Sequence, residues 1–282
     1  MNITTNSQND PTYESLLDDL IQEVFGFSFA PWFRRKLWDE RYESYSIIAD
    51  NIMLANVCIY KADLLINRQP FRAHQFGAIT TRKNKRGKGL SRLLMEHILS
   101  LYTDTPAFLF ANPSVIDFYP RFGFRQVQTY SPGLAITINN TSNKAVKYSP
   151  DDDFVRKMLY DKRVMSNIVD SNNMQPIEIF HLIMAYSDGT YYLPDCDALI
   201  IAKQKDNTLF LADIITQKPL TFDTLAKELP FKGVKYVEFG FCPDWLGVAP
   251  SWEPVDGSEE PFFIYGDWNL PETFCFPAMS VT

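Results

Sequence analysis

Several things are scarce in this chain of 282 residues. Its four cysteines, Cys58, Cys196, Cys242 and Cys275, stand far apart without CxxC spacing, among apolar or aromatic neighbours as in TFCFP and EFGFC. That excludes a disulfide framework or cysteine-rich metal site and predicts reduced, mostly buried thiols. No two of the three histidines share metal-ligand spacing, so no catalytic metal is expected. No apolar run approaches membrane-spanning length, and the N-terminus lacks a charged-then-apolar leader. The expectation is a cytoplasmic protein with no membrane partner. A basic surplus is missing too: 27 Lys and Arg against 34 Asp and Glu leave a formal charge of −7. That balance argues against general nucleic-acid binding, which needs a basic face.

What the chain does have is apolar material, 46% of its residues, with 15% aromatic. Its length favours two units, each able to bury a core. Only the first ten residues, MNITTNSQND, read as unstructured. Helical spacing of Leu16, Leu17, Leu20, Ile21 and Val24 predicts a helix over 13–25. Pro31 is placed to open a second helix over 31–42. Strands follow in YSIIAD, NIMLANVCIYKADLLI and FRAHQFGAIT, with Asp50-Asn51 as a turn. After the loop RKNKRGKG, an apolar stripe of Leu90, Leu93, Leu94, Ile98 and Leu101 marks a helix. Strand AFLFA, loop NPSV, short helix IDFYPRFG and FRQVQ complete the first unit. The polar, turn-rich segment 139–153 then divides the chain into 1–145 and 146–282. The second half reads as helix DFVRKMLYDKRVM, strands EIFHLIMAY, ALIIAKQ and TLFLADIIT, helix TFDTLAKEL, strand KYVEFGF and an aromatic, proline-rich tail. The fold class is α+β: a mixed, mostly antiparallel sheet flanked by helices, with a second α+β domain.

The informative stretch runs from Thr80 to Phe124. A helix opening near Gly89 leaves its first N–H groups unpaired and carries partial positive charge, which suits a pyrophosphate. Gly87 and Gly89 let the backbone approach a ligand and take positive φ. Arg82, Lys83, Lys85, Arg86, Lys88 and Arg92 surround the loop with positive charge. It is neither a Walker motif nor a dinucleotide fingerprint. An ordinary basic turn is the plain alternative.

Two segments decide between them. Arg86-Gly87-Lys88-Gly89-Leu90-Ser91 resembles the pyrophosphate loop of the GCN5-related N-acetyltransferase (GNAT) family, departing only in Ser91, where that family has Gly or Ala. Asn112-Pro113-Ser114-Val115-Ile116-Asp117-Phe118-Tyr119, followed by Arg121-Phe122-Gly123-Phe124, is similar to its loop–helix–strand element. Order and spacing match over residues 76–128.

The resemblance implies an acyl-CoA N-acyltransferase fold and acetyl-CoA as co-substrate, the acetyl group passing to a primary amine by direct attack on the thioester. Two parallel strands, ending near Ile79–Thr81 and Phe108–Ala111, would splay apart to admit it. Backbone groups of Ile79 and Thr81 would hold the pantetheine arm and thioester carbonyl. Amides of Gly87, Lys88, Gly89, Leu90 and Ser91 would cradle the pyrophosphate, with Arg86 and Lys88 assisting. Asn112 would orient the cofactor or a water, with helix capping as its alternative. Tyr119 would protonate the leaving thiolate, with ring packing as its alternative. Phe118, Phe122 and Phe124 read as core. No general base stands out among Glu40, Glu43, Asp50, Asp63, His74 and Glu96.

The second half lacks both motifs, and its order of elements loosely echoes the first. It reads as a degenerate second acyltransferase copy that shapes the acceptor pocket without binding CoA, against an unrelated α+β cap. In some tandem members of the family the chain's end approaches the active site, which gives Thr282's carboxylate a candidate role. A non-catalytic acyl-CoA-binding sensor with the same fold is the alternative function. The acceptor, the acyl preference and the oligomeric state are not legible.

Overall fold

Helix α1 (Pro11–Phe25) starts where the sequence dictates: Asp10 accepts hydrogen bonds from Thr12 N (2.9 Å) and Tyr13 N, and Pro11 opens the first turn. It ends at Gly26, whose φ of 80° closes the last turn. The structure is a computed structural model describing residues 2–5, 8–139, 144–257 and 260–282. The expected unstructured start is corrected in part. Strand β1 (Ile3–Thr5) pairs with the next strand, and Asp10 is a cap. Residues 1, 6 and 7 lie outside the described residues, as do 140–143 of the expected boundary segment.

The second helix is shorter than expected. Helix α2 (Ala30–Arg34) stops because Lys36 takes φ 54°, turning Leu37 and Trp38 into the core. There Trp38 Nε1 donates to Tyr42 O at 2.7 Å. Strands β2 (Tyr42–Ala49), β3 (Ile52–Ile66) and β4 (Gln69–Thr81) form a meander. Its turns use Asp50-Asn51 (φ 52° and 56°) and Asn67-Arg68 (φ 50° and 65°), the paired positive φ of the tight hairpin type. Helix α3 (Leu90–Leu101) crosses back to β5 (Ala107–Phe110), which lies parallel to β4. Leu90, Leu94 and Ile98 are buried as the stripe predicts, whereas Leu93 and Leu101 are exposed. A 3₁₀ segment (Pro113–Phe122) and β6 (Arg125–Val127) follow.

Beyond β6 come β7 (Tyr130–Ile138), β8 (Val146–Tyr148), α4 (Asp153–Tyr160), β9 (Val169–Asn172) and α5 (Gln175–Met184). The segment EIFHLIMAY, expected as a strand, lies mostly in α5. Pro176 sits in its first turn, and a short apolar run fits helix or strand equally by periodicity. The chain continues through β10 (Thr190–Leu193), β11 (Ala198–Lys205), β12 (Thr208–Thr216), α6 (Phe222–Glu228), β13 (Val234–Phe239), β14 (Ser251–Pro254) and β15 (Phe262–Tyr265). No described helix is long and apolar enough to cross a membrane.

The strands make two sheets, and each contains a strand from the other half. The first runs β1-β2-β3-β4-β5-β15-β6, with β9 pairing β3. The second runs β14-β7-β13-β12-β11-β10-β8. Thus β15 extends the first sheet beside β5, while β7 extends the second beside β13. The division at 145/146 is crossed in both directions. Each sheet also repeats one order: antiparallel neighbours, a helix, then a parallel strand, in β4-α3-β5 and β12-α6-β13.

A buried ionic knot ties the halves together. Lys162 Nζ lies 2.6 Å from both Glu178 of α5 and Asp213 of β12. Asp170 of β9, in the first sheet, stands nearby. Burial pulls the Lys162 ammonium down, but the attraction of these carboxylates outweighs it and holds the group well above the ordinary lysine range. Removing the cation strands buried carboxylates, which typically costs ~3–5 kcal/mol. Lys162→Met should therefore lose stability on that scale in urea unfolding at neutral pH. Lys218→Met breaks the exposed pair with Asp197 and should cost no more than about 1 kcal/mol.

Candidate active site

Strands β4 and β5 share only the pairs His74↔Ala107 and Gln75↔Phe108. Beyond them β4 runs on to Thr81 while β5 turns its other edge to β15, so the two parallel strands part in a wedge. On its far edge β4 carries a bulge. Its register against β3 jumps from Cys58↔Gly77 to Asn56↔Thr80. Ala78 takes φ 46° within it, a conformation that costs a residue with a Cβ ~1–2 kcal/mol. The backbone at 78–79 is thereby released from the ladder where the wedge opens. Ile79 and Thr81 lie on this stretch.

The loop closing the wedge leads straight into α3. Gly87 and Gly89 both have φ 75°, and no atom lies within 4 Å of where either Cβ would stand. Gly89 immediately precedes Leu90, and no side chain caps the helix. Its first-turn amides are open to a ligand. Ser91, the departure from the family pattern, hydrogen-bonds through Oγ to Thr81 Oγ1 at 2.6 Å, fastening the helix start to the end of β4. Arg86 Nε donates to Thr81 O (3.3 Å), and Lys88 is exposed between the glycines.

The ring of six cations is corrected. Arg82 turns away to α1, where it pairs with Asp19 and Glu23 at 2.6 Å each, and Arg92 pairs with Glu96 along α3. Acidic residues on α1 compete for Arg82, a long-range effect that local sequence does not carry.

Asn112 Oδ1 accepts from Ser114 N (2.9 Å) and Ser114 Oγ (2.7 Å), the capping role weighed as its alternative. Tyr119 is 5% exposed, in a core with Leu90 and Leu94 of α3 and Leu109 of β5. Its ring packs against Phe118 (5.4 Å) and Phe263 (5.6 Å). Burial pushes its phenol up to about 12, so it stays protonated at neutral pH. Phe124 is buried, while Phe118 and Phe122 are half-buried at the edge of that core.

An apolar pocket opens at the bulge. Phe29, Trp32, Tyr42, Gly77, Ala78, Ile177, Phe180 and Thr282 line it. The last residues of the chain are held there by both halves. Ser280 Oγ meets Ser171 Oγ (2.7 Å), His181 Nε2 meets Val281 O (2.6 Å), and the Gln75 amide bridges Ser280 O and Thr282 N. Of the lining residues only Thr282 stood out in the sequence. Ile177 and Phe180 were hidden by reading α5 as a strand, and nothing local linked Phe29 and Trp32 to β4. None of the first-unit carboxylates weighed as a base lines this pocket. Glu43 is occupied by Tyr45, Tyr102 and Lys61, and Glu40, Asp63 and His74 border a separate polar hollow.

This arrangement, a meander followed by a parallel strand that splays from it beside an open helix start, is the acyl-CoA N-acyltransferase fold. The class it defines is the acyl-CoA-dependent N-acyltransferases. Residues 11–127 match the family model of the acetyltransferase (GNAT) domain. Solved structures agree on the fold. Eis1 from Mycobacterium abscessus has a TM-score of 0.57 at 12% identity, over 94% of this chain and 73% of that one. A GCN5-related N-acetyltransferase from Kribbella flavida gives 0.56 at 13%, over 93% and 70%. Another from Anabaena variabilis gives 0.57 at 12%, over 93% and 72%. No curated protein sequence matches significantly.

A Cβ at Gly77 would lie 2.6 Å from Thr282 Oγ1 and 3.1 Å from Thr282 Cβ. Gly77→Val should therefore dislodge the chain's last residues from β4, lowering stability by ~1–3 kcal/mol in urea unfolding.

Proposed function

We propose that the protein moves an acetyl group from acetyl-CoA to a primary amine by direct attack on the thioester. The observation that carries this reading is the wedge between β4 and β5, with the uncapped start of α3 at its mouth. A thioester arm fits between the parted strands, and backbone amides from Gly87 to Ser91 meet the pyrophosphate with Arg86 and Lys88. Ile79 and Thr81 offer backbone groups to the pantetheine arm and thioester carbonyl. Asn112 shapes the loop after β5 and orients the co-substrate or a water there.

The neutral amine nitrogen attacks the acetyl carbon, the carbon–sulfur bond breaks, the nitrogen releases a proton to water, and the sulfur takes one. Tyr119 suits that last step because burial keeps its phenol protonated. We assign it the general acid, with a contribution of ~10²-fold at the lower end of such catalysis.

The second unit is, in this reading, a silent copy of the fold. Its repeat of the β4-α3-β5 order in β12-α6-β13 supports common design. Its helix start is closed: residues 217–221, QKPLT, hold no glycine, and Thr221 accepts the Thr224 N–H. Its contribution is the acceptor pocket, through Ile177 and Phe180. Consumption of acetyl-CoA and free cysteines fit a cytoplasmic setting.

Calorimetric titration of acetyl-CoA tests the site. Wild type should bind on the order of micromolar, and a folded Gly89→Glu variant, with an anion at the helix start, should bind at least about tenfold more weakly. No binding to wild type would sink the reading. With any amine that turns over, Tyr119→Phe should lower kcat by ~10²-fold while leaving acetyl-CoA affinity within about twofold. Tight binding with no turnover of any amine would instead favour a sensor.

A further inference from the structure

We infer that the polar hollow beside His74 is a second ligand site, and that it holds a free α-amino acid by both of its charged ends. The strands build it. Lys61 and Asp63 of β3 lie directly across from His74 and Arg72 of β4. Opposed residues, and residues two apart, share a face of the sheet, so these four side chains stand together. Helix α3 covers that face only as far as Leu101, and Tyr102 after it packs its ring against His74 at 4.4 Å. Below this point a hollow of about 520 Å³ remains, within the ~300–1,000 Å³ of small-molecule pockets. Glu40 and Arg41, just before β2, wall one side, and Thr105, just before β5, lies on its border too.

Part of the charge is already paired. Asp63 is engaged by Arg41 (2.8 Å), by Arg72 (3.3 Å) and by Asn173 Nδ2 (2.9 Å). Glu43 holds Lys61 at 2.5 Å, though the Lys61 side chain is still 41% exposed. Other groups are left over. Arg72 is 90% exposed and meets Asp63 through Nε, and its terminal nitrogens make no hydrogen bond among the described residues. Glu40 is exposed and pairs with no described residue. His74 is only 9% exposed, yet neither ring nitrogen has a hydrogen-bond partner among the described residues. A buried polar ring in that condition is completed by water or by a ligand. Burial holds the imidazole below the ordinary histidine range, so at neutral pH it is uncharged and has a lone pair free to accept.

These groups match the two ends of an amino acid. The Arg72 guanidinium and the spare N–H groups of Lys61 take the α-carboxylate. Glu40 and the His74 lone pair take the α-ammonium. A plain anion meets the repulsion of Glu40, and a plain amine meets that of Arg72 and Lys61. Ala62 and Ala73, paired across the two strands, are buried in the core of the opposite face, so the floor here is backbone. No apolar wall selects a side chain, and recognition rests on the ends that all amino acids share. The ligand is not the acetyl acceptor. His74 stands five residues before Ile79 on β4, about 16 Å along an extended strand, too far for its amine to reach a thioester held there.

The test is a chemical-shift titration with L-serine, read at the ring signals of the three histidines. The His74 signal is the one missing in His74→Gln. Ethanolamine, which lacks the carboxylate, and 3-hydroxypropionate, which lacks the amine, are titrated alongside. Serine should move the His74 signal with a Kd on the order of millimolar or tighter. Each half-ligand should bind at least about tenfold more weakly, the effect of one lost charge-assisted contact. Arg72→Ala and Glu40→Gln, both at exposed positions, should each weaken serine by about tenfold with the urea midpoint little changed. An unmoved His74 signal, equal affinity for either half-ligand, or indifference to both substitutions would overturn the assignment. So would thiol release from acetyl-CoA that serine drives and Arg72→Ala abolishes, since serine would then be the acceptor. The titration is run without acetyl-CoA, so its result stands whether or not the transfer reading does.

Discussion

The separation of β4 from β5 after two residue pairs is the constraint on which the rest depends. Parallel strands normally continue pairing because each unmade hydrogen bond leaves a backbone group unsatisfied. Here β5 satisfies its far edge with β15, and β4 carries a bulge at Ala78 on the edge that faces β3. The wedge is therefore held open from both sides. α3 starts at its mouth because β4 ends there, and the Thr81–Ser91 hydrogen bond fastens helix to strand.

Holding that wedge requires the whole chain. The strand beside β5 comes from residues 262–265, and the strand beside β13 comes from residues 130–138, so neither sheet is complete without the other half. The Lys162 knot joins α5 and β12 close to Asp170 of β9. It costs desolvation energy that apolar packing would not, but it penalises any arrangement in which these elements part. Through it α5 is set where Ile177 and Phe180 complete the pocket at Gly77. In β12-α6-β13, the second unit's counterpart of β4-α3-β5, the helix start is capped by Thr221.

The parts of the site legible in the sequence share one property: their geometry is local. RGKG before a helical stripe states a turn, two positive φ values and an open helix start within a few residues. Asn112 before Pro113 states a cap in the same way. The misreadings share the opposite property. Residues 178–186 gave no decisive period, and their helical state follows from packing against the chain's last residues and the ionic knot. Arg82 looked like part of a phosphate site until Asp19 and Glu23 on α1 claimed it. β7 and β15 went unread because each finds its partners in the other half.

By itself the sequence determined the meander with its Asp50-Asn51 turn, the glycine loop, the start of α3 and the resemblance of residues 76–128 to an N-acetyltransferase. Those features rest on φ preferences, periodicity and capping, which act over fewer than about ten residues. Tertiary structure alone decided how far β4 and β5 part, which cations stay at the loop, and that Phe29, Trp32, Phe180 and Thr282 meet at one bulge. Each of those outcomes depends on pairing or desolvation between segments far apart in the chain, and no local pattern encodes such a competition.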